Sequence, residues 1–184
     1  MAINLEKGQR VAVELPKFTI GLGWDTNKTS TGVDFDLDAS AFILGENGKI
    51  LADEYFVFYN NLVSPDGAVE HTGDNLTGEG EGDDESINID LSKIDPRAVE
   101  ITFVVTIHKA NERRQNFGQV RNAFIRIYNS VNGEEILRYD LDEDFSVETA
   151  VEFGRLYKRG SQWKFEAIGT GQKAGLEQYL EKYN

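Results

Sequence analysis

Residues 33–44 read VDFDLDASAFIL. Its side chains alternate with a period of two, so Asp34, Asp36 and Asp38 point one way and the apolar residues between them point the other. Beyond Ser40 both faces become apolar. The stretch therefore predicts a β-strand whose acidic face is confined to its start. Two interpretations of that face stay open, a solvated outer surface of an antiparallel sheet and a set of ligands.

The rest of the chain predicts many more short strands, separated by turns rich in Gly, Asn and Asp. They cover residues 11–15, 18–24, 54–59, 69–71, 86–91, 99–107, 123–129 and 135–141, with a hairpin over 149–158 and 162–168. The spacing of residues 123–129 would also suit a helix. Residues 92–97 predict one turn of helix, and only residues 175–181 show a clear helical spacing of apolar side chains. This pattern predicts an all-β fold, a two-sheet β-sandwich with short connecting helices and a C-terminal helix. We expect a single domain over residues 1–184.

Composition limits the possible functions. The 184 residues carry a formal net charge of −13, and such a surface is repelled by phosphate backbones and anionic lipid heads, so we expect no direct nucleic-acid partner. The chain contains no cysteine, which excludes disulfides, thiolate nucleophiles and cysteine-based zinc sites. The first ten residues lack the apolar run of a secretory signal, and no apolar stretch is long enough to span a bilayer. We therefore predict a soluble, cytoplasmic protein.

A second acidic stretch, GDNLTGEGEGDDE, covers residues 73–85 and contains six carboxylates, four glycines and no Lys or Arg. Carboxylates this crowded stay ionised together only with a cation among them. Glycine lets the backbone fold tightly and turn its carbonyls inward, so the stretch is a plausible cage for a hard cation, and Ca²⁺ fits best. An isolated run of this kind is more often a solvated loop or a disordered linker. The stretch is not an EF-hand, because Leu76 and Gly78 stand where oxygen side chains belong.

The acidic stretch has companions earlier in the chain. Asp25 and the Asp34, Asp36 and Asp38 face lie at strand ends or turns, as residues 73–85 do. Loops of a sandwich gather at its two ends, so segments far apart in sequence can share one rim. The sequence therefore predicts a composite acidic site.

Other constellations carry less weight. Paired carboxylates also serve glycosidases, but residues 73–85 contain no aromatic side chain for a sugar cleft, so we expect no enzyme. We expect His71 at the surface and His108 at a polar strand edge. Four arginines form a basic patch, which balances the acidic rim or meets an anionic partner: Arg113, Arg114, Arg121 and Arg126.

Several motifs together resemble the TerD family of tellurite-resistance and stress-response proteins. They are GLGWD (21–25), DFDLDAS (34–40), FYNNL (58–62), GDNLTG (73–78), FGQV (117–120) with FIR (124–126), WKF (163–165) and AIG (167–169). The resemblance covers nearly the whole chain, and the joint order of these motifs is highly specific.

The resemblance implies a cytoplasmic Ca²⁺-binding β-sandwich with two metal ions near one end, acting in tellurium resistance and general stress. It also implies complexes with other Ter-type proteins, in which any contact with a membrane is indirect or made through Ca²⁺. Metal ligands carried over by motif are Asp25, Asp34, Asp36, Asp38, Asn60, Asp74, Asn75, Glu79, Glu81, Asp83, Asp84 and Glu85. Consecutive Asp83, Asp84 and Glu85 alternate sides in an extended segment and cannot all reach one ion, and Glu85 is expected to start the next strand.

The sequence leaves two alternatives to a non-enzymatic Ca²⁺-binding stress protein. One is an acidic interaction module that binds a basic partner without metal. The other is a Ca²⁺-dependent membrane-binding module, in which the cation bridges carboxylates to lipid phosphate.

Overall fold

A computed structural model describes residues 2–25, 34–72, 83–141 and 147–184. Within these ranges the chain forms twelve β-strands. They are β1 (Ile3–Asn4), β2 (Arg10–Val13), β3 (Lys17–Gly23), β4 (Leu37–Leu44), β5 (Phe56–Val57), β6 (Val69–His71), β7 (Glu85–Asp90), β8 (Glu100–Ile107), β9 (Phe124–Asn129), β10 (Glu135–Asp140), β11 (Ala150–Arg159) and β12 (Gln162–Gln172).

The strands form two six-stranded sheets. Sheet A has the order β1-β10-β9-β3-β7-β6, and sheet B has the order β2-β12-β11-β8-β4-β5. Every pairing is antiparallel except that of β1 with β10. The prediction of an all-β, two-sheet sandwich is confirmed.

One face of each sheet builds the main core. On sheet A the inward side chains include Phe18, Ile20 and Leu22 of β3, and on sheet B they include Phe103 and Val105 of β8. These residues recur at every second position, which is the spacing that puts side chains on one face of a strand. Two apolar faces packed on each other remove their side chains from water, which is the main stabilising term of such a fold.

The helices are short. They comprise α1 (Ala110–Arg113), α2 (Leu176–Tyr183) and two single 3-10 turns, Asp53–Tyr55 and Leu91–Lys93. Helix α2 covers the outer face of sheet B, where Tyr179 and Tyr183 pack with Phe42 and Val104 in a second cluster. None of the helices in the described ranges has the length and apolar character needed to cross a bilayer.

Some element boundaries differ from the sequence prediction. Strand β4 begins at Leu37, four residues later than expected. Residues 54–59 are not one strand, because a 3-10 turn precedes the two-residue β5. The short helix α1 and the short strand β1 were not predicted, since four and two residues are too few to show a period.

Candidate metal-binding site

The ends of two strands bring Asp25 and Asp84 together. Strand β3 ends at Gly23, and the backbone N–H of the next residue, Trp24, donates to Oδ2 of Asp84 at 2.9 Å. In return the N–H of Asp84 donates to the carbonyl of Leu22 at 2.8 Å. Asp25 precedes residues 26–33 and Asp84 lies near the end of the acidic stretch 73–85, so Asp25 and the end of that stretch lie at the same place in the described fold.

Electrostatics at this junction oppose ionisation of Asp84. Burial raises the pKa of Asp84, and the negative charges of Asp83 and Asp25 raise it further, while the hydrogen bond from Trp24 acts in the opposite direction. A cation at the junction would lower the cost of keeping these groups ionised.

Asp25 itself lies on the exposed rim. Its N–H donates to the carbonyl of Arg121 at 3.0 Å, and Nδ2 of Asn122 donates to its Oδ2 at 2.7 Å. Asn122 has a φ of 54°, in the left-handed region that asparagine tolerates better than most residues. The sharp turn at residues 121–122 thus orients the Asp25 carboxylate.

The acidic start of the β4 segment lies beside this rim. The indole Nε1 of Trp24 donates to the carbonyl of Phe35 at 3.0 Å, and Nε2 of Gln115 donates to the carbonyl of Asp34 at 3.2 Å. Asp34 is half-buried, whereas Asp36 and Asp38 are only 5% and 4% exposed. The alternative of a fully solvated outer face is therefore wrong for Asp36 and Asp38.

Asp38 faces a cavity of about 380 Å³ between sheet B and the first turn of α2. Its Oδ2 lies 3.9 Å from Nδ1 of His108, whose ring makes an edge contact with that of Tyr59 at 6.4 Å between centroids. Asn60 follows Tyr59 in an exposed turn. Asp38 thus faces this cavity beneath α2, whereas Asp25 and Asp84 meet at the end of β3.

Asp83 is engaged by an arginine. Nε and Nη2 of Arg126 donate to its two oxygens at 2.7 and 2.9 Å, and this pairing raises the pKa of the Arg126 guanidinium. One member of the basic patch therefore balances the acidic rim directly.

Glu85 starts β7, as the sequence predicts, but its side chain is fully buried between the sheets. Its Oε2 accepts the N–H of Ala39 at 2.8 Å and lies 3.4 Å from Nε2 of His71. The expected surface position of His71 is wrong, because the residue is 2% exposed. The alternation of β6 explains this, since Val69 and His71 point inward and Glu70 points outward.

The remaining predicted ligands, Asp74, Asn75, Glu79 and Glu81, lie outside the described residues. Within the described ranges no group of three or more His, Asp or Glu side chains is arranged to hold a metal ion. The oxygen donors at the rim fit a hard cation by type, but Ca²⁺ takes about 6–8 oxygen ligands. A complete shell would need residues 73–82 or 26–33, backbone carbonyls and water.

Sequence reasoning missed several residues that support the rim. Gln115 is 2% exposed and reaches Asp34 from the segment after α1, and Asn122 reaches Asp25 from the segment before β9. Both belong to irregular segments with no period, so no sequence signal indicated which way they point. Arg126 belongs to the predicted basic patch, and its outward direction follows from the alternation of residues 124, 126 and 128 with the buried Ile125 and Ile127 of β9.

Comparisons with known proteins agree with these motifs. The TerD domain family model matches residues 1–183. General stress protein 16U of Bacillus subtilis (strain 168) is 51% identical over 188 aligned positions, which cover 100% of this chain and 97% of that protein. Tellurium resistance protein TerD of Serratia marcescens is 52% identical over 188 aligned positions, again covering 100% of this chain and 97% of its own length.

A solved structure shares the fold. A Streptomyces coelicolor A3(2) homologue of telluride resistance protein (TerD) superposes with a TM-score of 0.75 at 20% identity, covering 90% of this chain and 95% of that one. The family model and the full-length relatives together settle the family. The chain belongs to the TerD domain family of tellurium-resistance and stress-response proteins.

Proposed function

We propose that this protein binds Ca²⁺ at a composite acidic site at the end of β3, with two ions expected, and acts without catalysis in a tellurium-resistance and stress response. The convergence of Asp25 and Asp84 carries the proposal, because it brings Asp25 beside the end of the acidic stretch 73–85, from which it is far apart in sequence. The ligands would come from the predicted set. They would be Asp25, Asp34, Asp36 and Asp84, together with Asp74, Asn75, Glu79 and Glu81.

The proposed role in the cell is to bind other proteins in the cytoplasm. Other Ter-type proteins are the proposed partners, and contact with a membrane is indirect or made through Ca²⁺. A cation at the rim would neutralise part of the net charge of −13. It would therefore change the surface that a partner meets.

Calcium titration calorimetry and thermal unfolding with and without EDTA test the proposal. A ligand that binds the folded state alone stabilises it by about 2.7 kcal/mol at 100 times its Kd, so we expect a higher midpoint with Ca²⁺ than with EDTA. Absence of both binding heat and midpoint shift would contradict the proposal. Binding of a Lys-rich peptide regardless of EDTA would favour the metal-free interaction module instead.

Asp84→Asn tests the site itself. Removing this carboxylate should weaken Ca²⁺ binding roughly tenfold or more, because Asp84 adjoins Asp25 at the centre of the rim. The control is Glu134→Gln, which makes the same charge change at an exposed position in the β9–β10 turn, at the opposite end of β9. Equal Ca²⁺ affinity of the two variants would show that the site lies elsewhere. Co-sedimentation with anionic vesicles, with and without Ca²⁺, separates the membrane-binding alternative.

A further inference from the structure

A single arginine fixes the carboxylate of Asp83 on sheet A. Both oxygens accept from the Arg126 guanidinium, and the Asp83 side chain is 6% exposed. The guanidinium also stacks on the Tyr128 ring at 4.6 Å from its centroid. A two-pronged pair of this kind fixes orientation as well as charge, because the planar guanidinium matches the two carboxylate oxygens.

Gly21 provides the space for this pair. Strand β3 places Gly21 opposite Arg126 on β9 and opposite Ser86 on β7. A Cβ atom added at Gly21 would overlap the carboxylate of Asp83, well inside van der Waals contact. The carboxylate thus fills the volume that any other side chain at position 21 would need. Glycine in a strand interior often marks such a close approach.

The pair lies next to the proposed cation site along the chain. Asp83 follows directly after residues 73–82, and the next residue is Asp84, which exchanges hydrogen bonds with Trp24 and Leu22 of the neighbouring strand end. A shift of Asp83 would therefore move the point at which the acidic stretch meets β7. It would also change the distance between Asp84 and Asp25.

We propose that Gly21, Asp83 and Arg126 form a clamp that positions the acidic rim for cation binding, and that Asp83 is a positioning residue and not a ligand. The proposal rests on the proposed Ca²⁺ site and removes Asp83 from the predicted metal ligands. Both Asp83 oxygens already accept hydrogen bonds from a fixed cation, whereas a ligand carboxylate must direct an oxygen to the metal.

Arg126→Gln tests the positioning role by the sign of its effect in calcium titration calorimetry. If the pair had no positioning role, removing the Arg126 charge would leave Ca²⁺ affinity unchanged or raise it, because one positive charge near the cation is lost. If Asp83 positions the rim, affinity falls, by about 10- to 100-fold as for other residues that orient metal ligands. Unchanged or higher affinity overturns the proposal.

The matched control is Arg138→Gln. Arg138 is the register partner of Arg126 on β10, stacks on the Phe124 ring at 4.1 Å and pairs with Asp140. It removes the same charge from the neighbouring position of sheet A, so general electrostatics predict an equal effect for both variants. The clamp predicts loss of affinity for Arg126→Gln alone, and equal losses contradict it.

Gly21→Ala tests the close approach of the Asp83 carboxylate to position 21 without changing any charge. It should displace Asp83 and weaken Ca²⁺ binding. The Gly21→Ala/Arg126→Gln double variant should bind Ca²⁺ almost as tightly as either single variant, since all three residues act as one unit. Fully additive losses contradict the clamp. If Arg126→Gln does not fold, Arg126→Lys keeps the charge but loses the paired geometry, and it should also bind less tightly.

Amide hydrogen exchange in the metal-free protein gives a second readout. Releasing the clamp should speed exchange at the N–H groups of Trp24 and Asp84 but not at those of the distant hairpin of β11 and β12. Unchanged exchange at Trp24 and Asp84 overturns the clamp. Because this measurement needs no Ca²⁺, it tests the clamp even if the wild-type protein binds no calcium and the proposed function fails.

Discussion

Glu85 was predicted as a metal ligand, and the structure shows a further role for it in the core. Its carboxylate connects β7 of sheet A to the Ala39 N–H of sheet B and lies against His71, with the side chains of Glu85 and His71 at most 1% exposed. A buried carboxylate held by hydrogen bonds across the core joins the two sheets at the base of the acidic rim. Its contribution to stability is therefore separate from any contribution to metal binding.

Glu85→Ala should destabilise the metal-free protein by about 1–3 kcal/mol, because it leaves the Ala39 N–H buried without its acceptor. Urea unfolding in EDTA measures this. The control is Glu70→Ala on the adjacent strand β6, where the side chain is exposed and the expected change is within about 0.5 kcal/mol. Equal midpoints for the two variants would show that the Glu85 contacts do not stabilise the fold.

At this scale, alternation was the informative signal. The inward positions of β7 are Glu85, Ile87 and Ile89, so the run ESINID predicts that Glu85 points the same way as two core isoleucines. Charged side chains are rarely buried in a core, which favours an exposed position for Glu85. The hydrogen bond from a partner in the other sheet compensates for the burial of the Glu85 carboxylate. That partner could not be predicted, because Ala39 is 46 positions away in sequence.

Among the elements, helix α2 shows how a short helix is held on a sheet. The hydroxyl of Tyr183 donates to Oε1 of Glu152 at 2.5 Å, and the carbonyl of Tyr183 accepts the N–H of Ile50 at 2.7 Å. Tyr179 is also buried, but within the described ranges its hydroxyl has no hydrogen-bond partner. An eight-residue helix is unstable alone in water, so these contacts and its apolar face hold it.

Tyr183→Phe and Tyr179→Phe make the same chemical change with different expected results. The first removes a hydrogen bond to a charged group and should cost about 1.5–3 kcal/mol of unfolding free energy. The second removes a buried hydroxyl that lacks a described partner and should be neutral or slightly stabilising. Guanidinium unfolding of both variants measures the difference. A greater loss for Tyr179→Phe would contradict this account of how α2 is held.

Strands and helices long enough to show a repeat of apolar side chains were predicted well, and shorter elements were not. The spacing of Leu176, Tyr179 and Leu180 predicted α2, and β-branched residues predicted β8. The segment around Asn60 shows where prediction from the local sequence fails. The aromatic run 55–59 resembles a single strand, but only Phe56 and Val57 pair with β4, and Phe58 turns back to bridge Asn61. Local turn formation there outweighed strand propensity.

The whole molecule should lose stability at alkaline pH through the two buried tyrosines of α2, Tyr179 and Tyr183. Burial raises the pKa of Tyr179 to about 12 and also raises that of Tyr183, so the folded protein keeps both neutral while the unfolded chain ionises them near pH 10. The stabilisation is therefore complete below about pH 10 and is lost as pH rises through about 12.

Urea midpoints measured across this window should fall with pH in the wild type and fall less steeply in the Tyr179→Phe/Tyr183→Phe double variant. Phenolate absorbance of the folded protein should lag behind that of a denatured sample. An equally steep fall in the double variant would assign the alkaline loss to other groups, such as lysines.

Sheet membership across the whole molecule could not be predicted from the sequence. The alternating strands predicted two sheets, but the order of strands within them depends on pairings between distant segments, such as β12 with β2. The acidic rim was predicted as composite for a general reason, the gathering of loops at the ends of a sandwich. Its actual junction, Trp24 against Asp84, follows from the antiparallel pairing of β3 with β7.

The interleaved strand order has a kinetic consequence. Strands of sheets A and B alternate repeatedly along the chain, and the edge strand β2 pairs only with β12, near the other terminus. Neither sheet can therefore be completed from a continuous part of the chain. Folds dominated by such distant pairings form slowly, in milliseconds to seconds. During synthesis, β2 stays without its partner until residues 162–172 of β12 have left the ribosome, so the sandwich closes as a late and cooperative event.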